Sequence, residues 1–415
     1  MPATWSTYQA AMKEVWTDDH LVDQLYSSTP FLDMLEKTEK YNVGEYAVVP
    51  ITEYRSGGVT VTDTSGSAAL NPAGNVGVRQ ATYSLVFDYN QVKIEHAAIV
   101  STGGKPQAVA EVINTETESA VAETRKQVSR QIWGDQSGLI AKCGTTTTSA
   151  TVVLDVTEGY QALVRDWLHP TMTVDIGTTA DPVAIAAGRT ITAVVESESA
   201  PTITVSGATL STTSSHYVTL SGSRSGSTSK ESNGLRNIIS SSAALGGLAA
   251  GGKWTSGAQA DTTTTSLTLG ALNGLNRRIR MHTGGLRDNK SAYKVFMSYA
   301  NMERLYNELQ NQVRFSSDKA IDAGGWEYVG YNGMEIYSEP DIRDTDVFFV
   351  NMEDLLLVTG SGSGFGKAGW MNNPGGGADL GWAQGTTSFT DGYYYTGQLG
   401  ARRRNRMGSF TALTS

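Results

Sequence analysis

The residues able to do chemistry are few, and their spacings fit none of the common devices. Five histidines, His20, His96, His169, His216 and His282, are scattered through 415 residues in no ligand spacing, so no zinc site is expected. Asp341, Asp344 and Asp346 lie close together but lack the glycine and terminal glutamate of a calcium-binding loop. The run Gly360 to Lys367, GSGSGFGK, has the texture of a phosphate loop. Ser361 stands where that loop needs its first glycine, and Ala368 where it needs a hydroxyl. The dinucleotide pattern fails as well, with Phe365 in place of the third glycine. There is no GxSxG elbow, and nothing around Cys143 marks a nucleophile. No catalytic residue, cofactor site or metal site is therefore expected, and the weight moves towards a structural role.

One concentrated charge feature remains, Arg402-Arg403-Arg404-Asn405-Arg406. Arginine forks suit carboxylates and phosphates, so Arg402, Arg403, Arg404 and Arg406 are candidate contacts to a neighbouring subunit or to DNA. As a strand, the run would place Arg402, Arg404 and Arg406 on one side and Arg403 on the other.

The chain around these residues is acidic, with a formal net charge of -9. That argues against a nucleic-acid binder by overall charge. A single cysteine excludes an internal disulfide and is compatible with a reducing compartment. Neither a signal peptide nor an apolar run long enough for a bilayer is visible. The expectation is a soluble protein made in the cytoplasm, without membrane contact. At this length two or three structural units are expected. With 45 glycines beside many Ser and Thr, much of the chain outside its helices should be extended and turn-rich.

The element that organises the rest is Pro106 to Trp133. It has no glycine, its only proline opens it, and Val109, Val112, Ile113, Val121, Val128 and Ile132 recur at helical spacings. About 28 residues make a rod of roughly 40 Å. Its acidic face, Glu111, Glu116, Glu118 and Glu123, is a candidate partner for basic groups on an adjacent copy. Before it, within the arm 1–45, residues 1 to about 40 read as two short helices that either pack on their own core or reach a neighbouring molecule, which makes Trp5, Tyr8 and Trp16 candidate intersubunit contacts. Residues 46–95 read as a long β-hairpin, with Tyr83, Leu85, Phe87 and Tyr89 alternating along its second arm. After it, residues 146–230 read as a small β-rich inserted domain with strands near 171–176, 189–195, 202–205 and 217–220, ending in a flexible Ser/Gly linker at 221–232. Residues 231–415 return to mixed α and β: a helix through Leu269, Leu272, Leu275 and Ile279, a strand at Tyr293 to Met297, and a hairpin turn at Asn332-Gly333. The class is α+β.

This order, with WTDDHLVDQLYSSTPFLDML, TYSLVFDYNQVKIEHAAI, YKVFMSYANMERLYNELQNQ and GYNGMEIYSEPDI before DVFFVNMEDLLLV, resembles the major capsid proteins of tailed bacteriophages with the Hong Kong 97 fold. The resemblance implies an N-terminal arm, an extended loop at 46–95, a peripheral domain at 96–145 holding the spine helix, and an inserted domain. The axial domain and the rest of the peripheral domain would lie in 231–415. It further implies a homo-oligomer of pentamers and hexamers closing an icosahedral shell around double-stranded DNA, assembled in the host cytoplasm and carried in the virion. Separate scaffold, portal and decoration proteins are the implied partners. Some relatives lock the shell through a lysine in the extended loop; no lysine lies between Lys40 and Lys93, so that cross-link is not expected here. An encapsulin-like compartment shell and a β-rich adhesin or carbohydrate-binding protein are the alternatives.

Overall fold

The computed structural model describes residues 31, 34–35, 37–38, 42–43, 46–54, 57–61, 71–72, 74–101, 106–240, 244–250, 254, 258–261, 266–282, 292–310, 329–331, 334–359, 368–372, 381–382 and 385–413. The class is α+β, as the sequence predicts. The chain forms two compact units, each assembled from three separate stretches: 1–33, 85–232 and 359–397 in the first, 34–84, 233–358 and 398–415 in the second.

In the first unit the helix Pro106–Trp133 is continuous over 28 residues. The strand Val86–Glu95 pairs antiparallel with residues 388–397, from Ser388 opposite Glu95 to Gly397 opposite Val86. Val92 and Ile94 alternate on one side of it and pack against Ala120, Ile113 and Val121 of the helix, the period of two meeting the period of 3.6. The last turns of the helix, 126–133, are buried on every side, polar residues included. Buried polar groups need partners, and these residues have them.

Residues 139–220 fold as a β-barrel. The strand order is Leu139–Lys142, Tyr217–Leu220, Thr173–Gly177, Ala186–Val195, Thr202–Val205, Thr151–Val153. The two outer strands then meet through a bridge between Cys143 and Leu154, flanked by Gly144 N–H to Val153 C=O and Asp155 N–H to Lys142 C=O. Closure satisfies the edges that an open sheet leaves bare. Ile140, Val152, Leu154, Val174, Ile176, Ile191, Ile203 and Val218 belong to its core, together with Trp167 and Leu168. Cys143 lies in that core, and burial pushes its thiol up to about 12. The stretch 221–232, a linker by composition, is instead ordered. Arg224–Ser225 pairs with Thr228–Ser229, Lys230 N–H donates to Ser223 C=O, and Arg224 donates to the carbonyls of Ser137 and Thr179.

In the second unit, Tyr46–Tyr54 and Gly77–Ser84 form the hairpin. Its second arm differs from the sequence expectation. The alternation through Leu85 to Tyr89 continues in register, but the hydrogen bonding changes partner at Leu85. Val86–Glu95 belongs to another sheet. Ala47, Val49 and Ile51 face Ala81 and Tyr83 in the buried layer. A six-stranded sheet runs Ala258–Asp261, Gly408–Phe410, Val347–Asn351, Tyr293–Met297, Met334–Ser338, Val329–Tyr331. Tyr331 pairs with Met334 across Asn332 and Gly333. Leu272, Leu275 and Ile279 of helix Leu269–His282, with Met302 and Leu305 of helix Tyr299–Gln310, cover Val295, Met297, Val347, Phe349 and Phe410 of this sheet.

Candidate assembly elements

The long helix carries a relay of polar contacts within the first unit. His169 Nε2 lies 3.1 Å from Glu123 Oε2, and Gln127 Nε2 donates to the other oxygen of Glu123 at 2.9 Å. Arg130 Nε donates to Gln127 Oε1 at 3.1 Å and its Nη2 pairs with Glu231, both side chains buried. Gln131 donates to Asp88 at 3.1 Å and accepts from the Ser232 N–H and hydroxyl at 3.1 and 2.7 Å. The helix end thus holds the strand before it and the chain leaving the barrel. Burial opposes the charge of Glu123, yet the hydrogen bonds from His169 and Gln127 hold its carboxyl below the ordinary range. The Glu123 hydrogen bond, opposed by burial, raises His169 to about 9.

The four acidic positions of this helix do not share one face. Residues five apart differ by about 140° around a helix and residues seven apart by about 20°. Glu111 therefore aligns with Glu118, and Glu116 with Glu123. Glu118 is exposed, whereas Glu116 and Glu123 are half-buried. Burial raises the Glu116 carboxyl above its usual range. The side chain of Glu111 lies outside the described residues, as do Trp5, Tyr8, Trp16 and the glycine-rich run 360–367.

The arginine run is not a strand. Residues 404–406 form a 3-10 turn, which breaks the alternation expected for Arg402, Arg403, Arg404 and Arg406. Arg404 is 0% exposed. Its Nε donates to the Ile238 carbonyl at 2.9 Å, its Nη2 bonds the Ser240 carbonyl, and its guanidinium lies 5.9 Å from the centre of the Trp254 ring. Burial lowers it to about 10. Arg404 is thus an internal strut that takes up carbonyls at the end of the turn Leu235–Ile238. Arg406 Nη1 pairs with Asp354 at 3.3 Å, Arg402 is half-buried, and Arg403 is exposed. Of the four, Arg403 presents its side chain outward.

The base of the hairpin is clamped within the second unit. Tyr83 donates its hydroxyl to the Ala401 carbonyl at 3.1 Å and accepts from the Ala401 N–H at 3.2 Å. Burial raises this phenol to about 12. Thr82 N–H donates to the Gly246 carbonyl at 2.9 Å, and a Cβ on Gly246, whose φ is +58°, would sit 2.8 Å from the Ala81 Cβ. The other end of the hairpin is apolar and uncovered: Val59 is 74% and Val61 90% exposed, and Val76 and Val78 are also out. Among the described residues no group of three or more His, Cys, Asp or Glu is placed to hold a metal. No described helix is long and apolar enough to cross a membrane.

No family model matches the sequence, and no curated protein is similar to it. Solved structures are similar. The subunit in the capsid asymmetric unit of cyanophage A-1(L) superposes with a TM-score of 0.57 over 96% of both chains at 13% identity. The chain has the Hong Kong 97-type capsid fold. The holo-SrpI encapsulin of Synechococcus elongatus PCC 7942 is similar with a TM-score of 0.48 and 8% identity over 97% of this chain and 95% of that one. The capsid of a native GTA particle is similar with a TM-score of 0.47 and 9% identity over 97% and 98%. The hairpin tip and the partners of the 404–406 turn had no local sequence signal. The carbonyls that Arg404 takes up, those of Ile238 and Ser240, lie 166 and 164 positions away.

Proposed function

We propose that this chain is the major capsid protein of a tailed bacteriophage, a structural rather than catalytic protein. Hundreds of copies would close an icosahedral shell around double-stranded DNA. The observation that carries this reading is the chain-length likeness to the cyanophage capsid subunit. The hairpin supports it. Its base is clamped at Tyr83, while its valine-rich end is exposed to a degree unusual for a finished surface. An arm rigid at one end and uncovered at the other suits a heterologous interface, where one patch meets a different patch on the next copy. Residues 146–230 serve as an inserted domain in this reading, Glu118 and Arg403 are available to neighbouring copies, and Trp5, Tyr8 and Trp16 belong to an intersubunit arm. Pentamers and hexamers, a separate scaffold, a portal, assembly in the host cytoplasm and residence in the virion complete the proposal.

Electron microscopy of the expressed protein and of native particles tests it. Icosahedral shells with DNA in the native particles support the reading. Shells around a protein cargo would make it a compartment, and a persistent monomer would remove both.

A further inference from the structure

Residues 165–172 form a finger anchored in the barrel. Trp167 and Leu168 are buried in the barrel's core on one side of His169, and Met172 on the other. Asp166 and Thr171 lie in the left-handed region, with φ of +55° and +79°. A branched side chain rarely adopts that backbone; such positions persist where the surrounding structure imposes them, and they collect at switch regions. Between these two bends His169 leaves the core and meets Glu123 of the long helix. Glu123 lies ten residues before Trp133, about 15 Å up the helix. Both chain crossings between helix and barrel are at the helix end. Residues 134–138 lead in, and Glu231 and Ser232, bonded to Arg130 and Gln131, lead out. Among the described residues the barrel's core takes in none from the helix, and the contact at the level of Glu123 is polar. The segment leading in has two left-handed residues of its own, Gln136 at φ +64° and Gly138 at +73°, in the kind of short connection where a hinge takes up rotation.

We propose that His169 and Glu123 form a pH-operated strap: closed, it fixes the tilt of the barrel on the long helix; open, it leaves the barrel to swing on residues 134–138. The ring is wedged between two acceptors, the Glu123 carboxylate and the Pro170 carbonyl. Only the imidazolium has a proton for each. A neutral ring must turn a lone pair on one of them, so losing the proton replaces an attraction by a repulsion. Asp166 adds a second negative neighbour from the barrel side, while Lys126 and Arg130 of the helix face Asp166 and Glu123. These surroundings hold the ring protonated up to about 9. The strap is therefore closed at neutral pH and opens on the alkaline side. Nothing in it depends on the shell reading.

The test places spin labels on the full-length, unassembled chain through Ser119→Cys on the helix and Ser214→Cys on the barrel, both exposed positions. Cys143 is buried and takes no label. The distance distribution between the labels is followed from about pH 5 to pH 10, with far-UV circular dichroism on the same samples. A single narrow distance should give way to a broader, shifted distribution with its midpoint near 9, the secondary structure unchanged. Glu123→Gln removes the negative partner and should move that midpoint down towards the ordinary histidine value of about 6.5. His169→Ala should be broad throughout. A wild-type distribution that stays narrow over the whole range overturns the proposal, and so does a His169→Ala chain that stays narrow at neutral pH. A midpoint unmoved in Glu123→Gln also overturns it, as does broadening that accompanies loss of secondary structure, since the chain would then be unfolding. Should one variant fail to fold, the wild-type titration and the other variant decide.

Discussion

His169 Nε2 lies 3.1 Å from the carboxylate of Glu123, and its Nδ1 faces the Pro170 carbonyl at 2.9 Å. Both neighbours are acceptors, so the ring donates from both nitrogens and is held as the cation, raised to about 9. A group whose folded pKa lies above its unfolded value, about 6.5, contributes stability that is complete below the unfolded pKa and lost as pH rises through the folded one. The thermal midpoint of the unassembled chain should therefore fall between about pH 6.5 and 9. His169→Gln should flatten that decline. An equally steep decline in the variant would assign it to other groups.

Arg404 and Arg403 are neighbours in sequence with opposite expectations. Arg404→Met leaves the carbonyls of Ile238 and Ser240 without their donor inside the protein, at a cost of about 3 kcal/mol. Arg403→Gln should change the unfolding midpoint little, because its side chain is exposed. Denaturant unfolding of the two variants side by side checks this, and equal effects would contradict the buried strut.

The hairpin base gives a third expectation. Tyr83→Phe removes a hydroxyl that satisfies both the N–H and the C=O of Ala401, costing about 2 kcal/mol. Gly246→Ala meets the Ala81 Cβ at a positive φ, costing about 2 kcal/mol by strain and crowding. Both should lower the unfolding midpoint. A hairpin held from elsewhere would leave the midpoints unchanged.

Assembled shells should run as single chains on a denaturing gel, since no lysine lies between Lys40 and Lys93 to form an isopeptide bond from the hairpin. A ladder of covalent multimers would contradict this.

The sequence made the long helix legible because its signal is local: proline at the start, no glycine within, and a glycine just after Trp133. The element order that carries the capsid resemblance was legible for the same reason. The break at Leu85 was not, because an alternating pattern continues unchanged when a strand leaves one sheet for another. The pairing of Tyr83 with Ala401 spans 318 positions, and no short-range pattern encodes it. Composition misdirected twice. The Ser/Gly stretch at 221–232 reads as a linker, yet Arg224 and Glu231 anchor it. The arginine run near the C-terminus reads as an alternating strand, yet residues 404–406 form a 3-10 turn that buries Arg404.

The closure of the barrel at Cys143 and Leu154 bears on crowding. In the proposed shell, copies of residues 139–220 would be held at very high local concentration for as long as the particle lasts. Open strand edges at that density template pairing between copies. The closed ring itself offers neighbouring copies no free strand edge; the short pair Leu210–Thr212 with Thr146–Ser149 lies outside it. Exchanging strands would first require opening the bridge and the hydrogen bonds beside it, so proximity alone does not drive the modules to fuse.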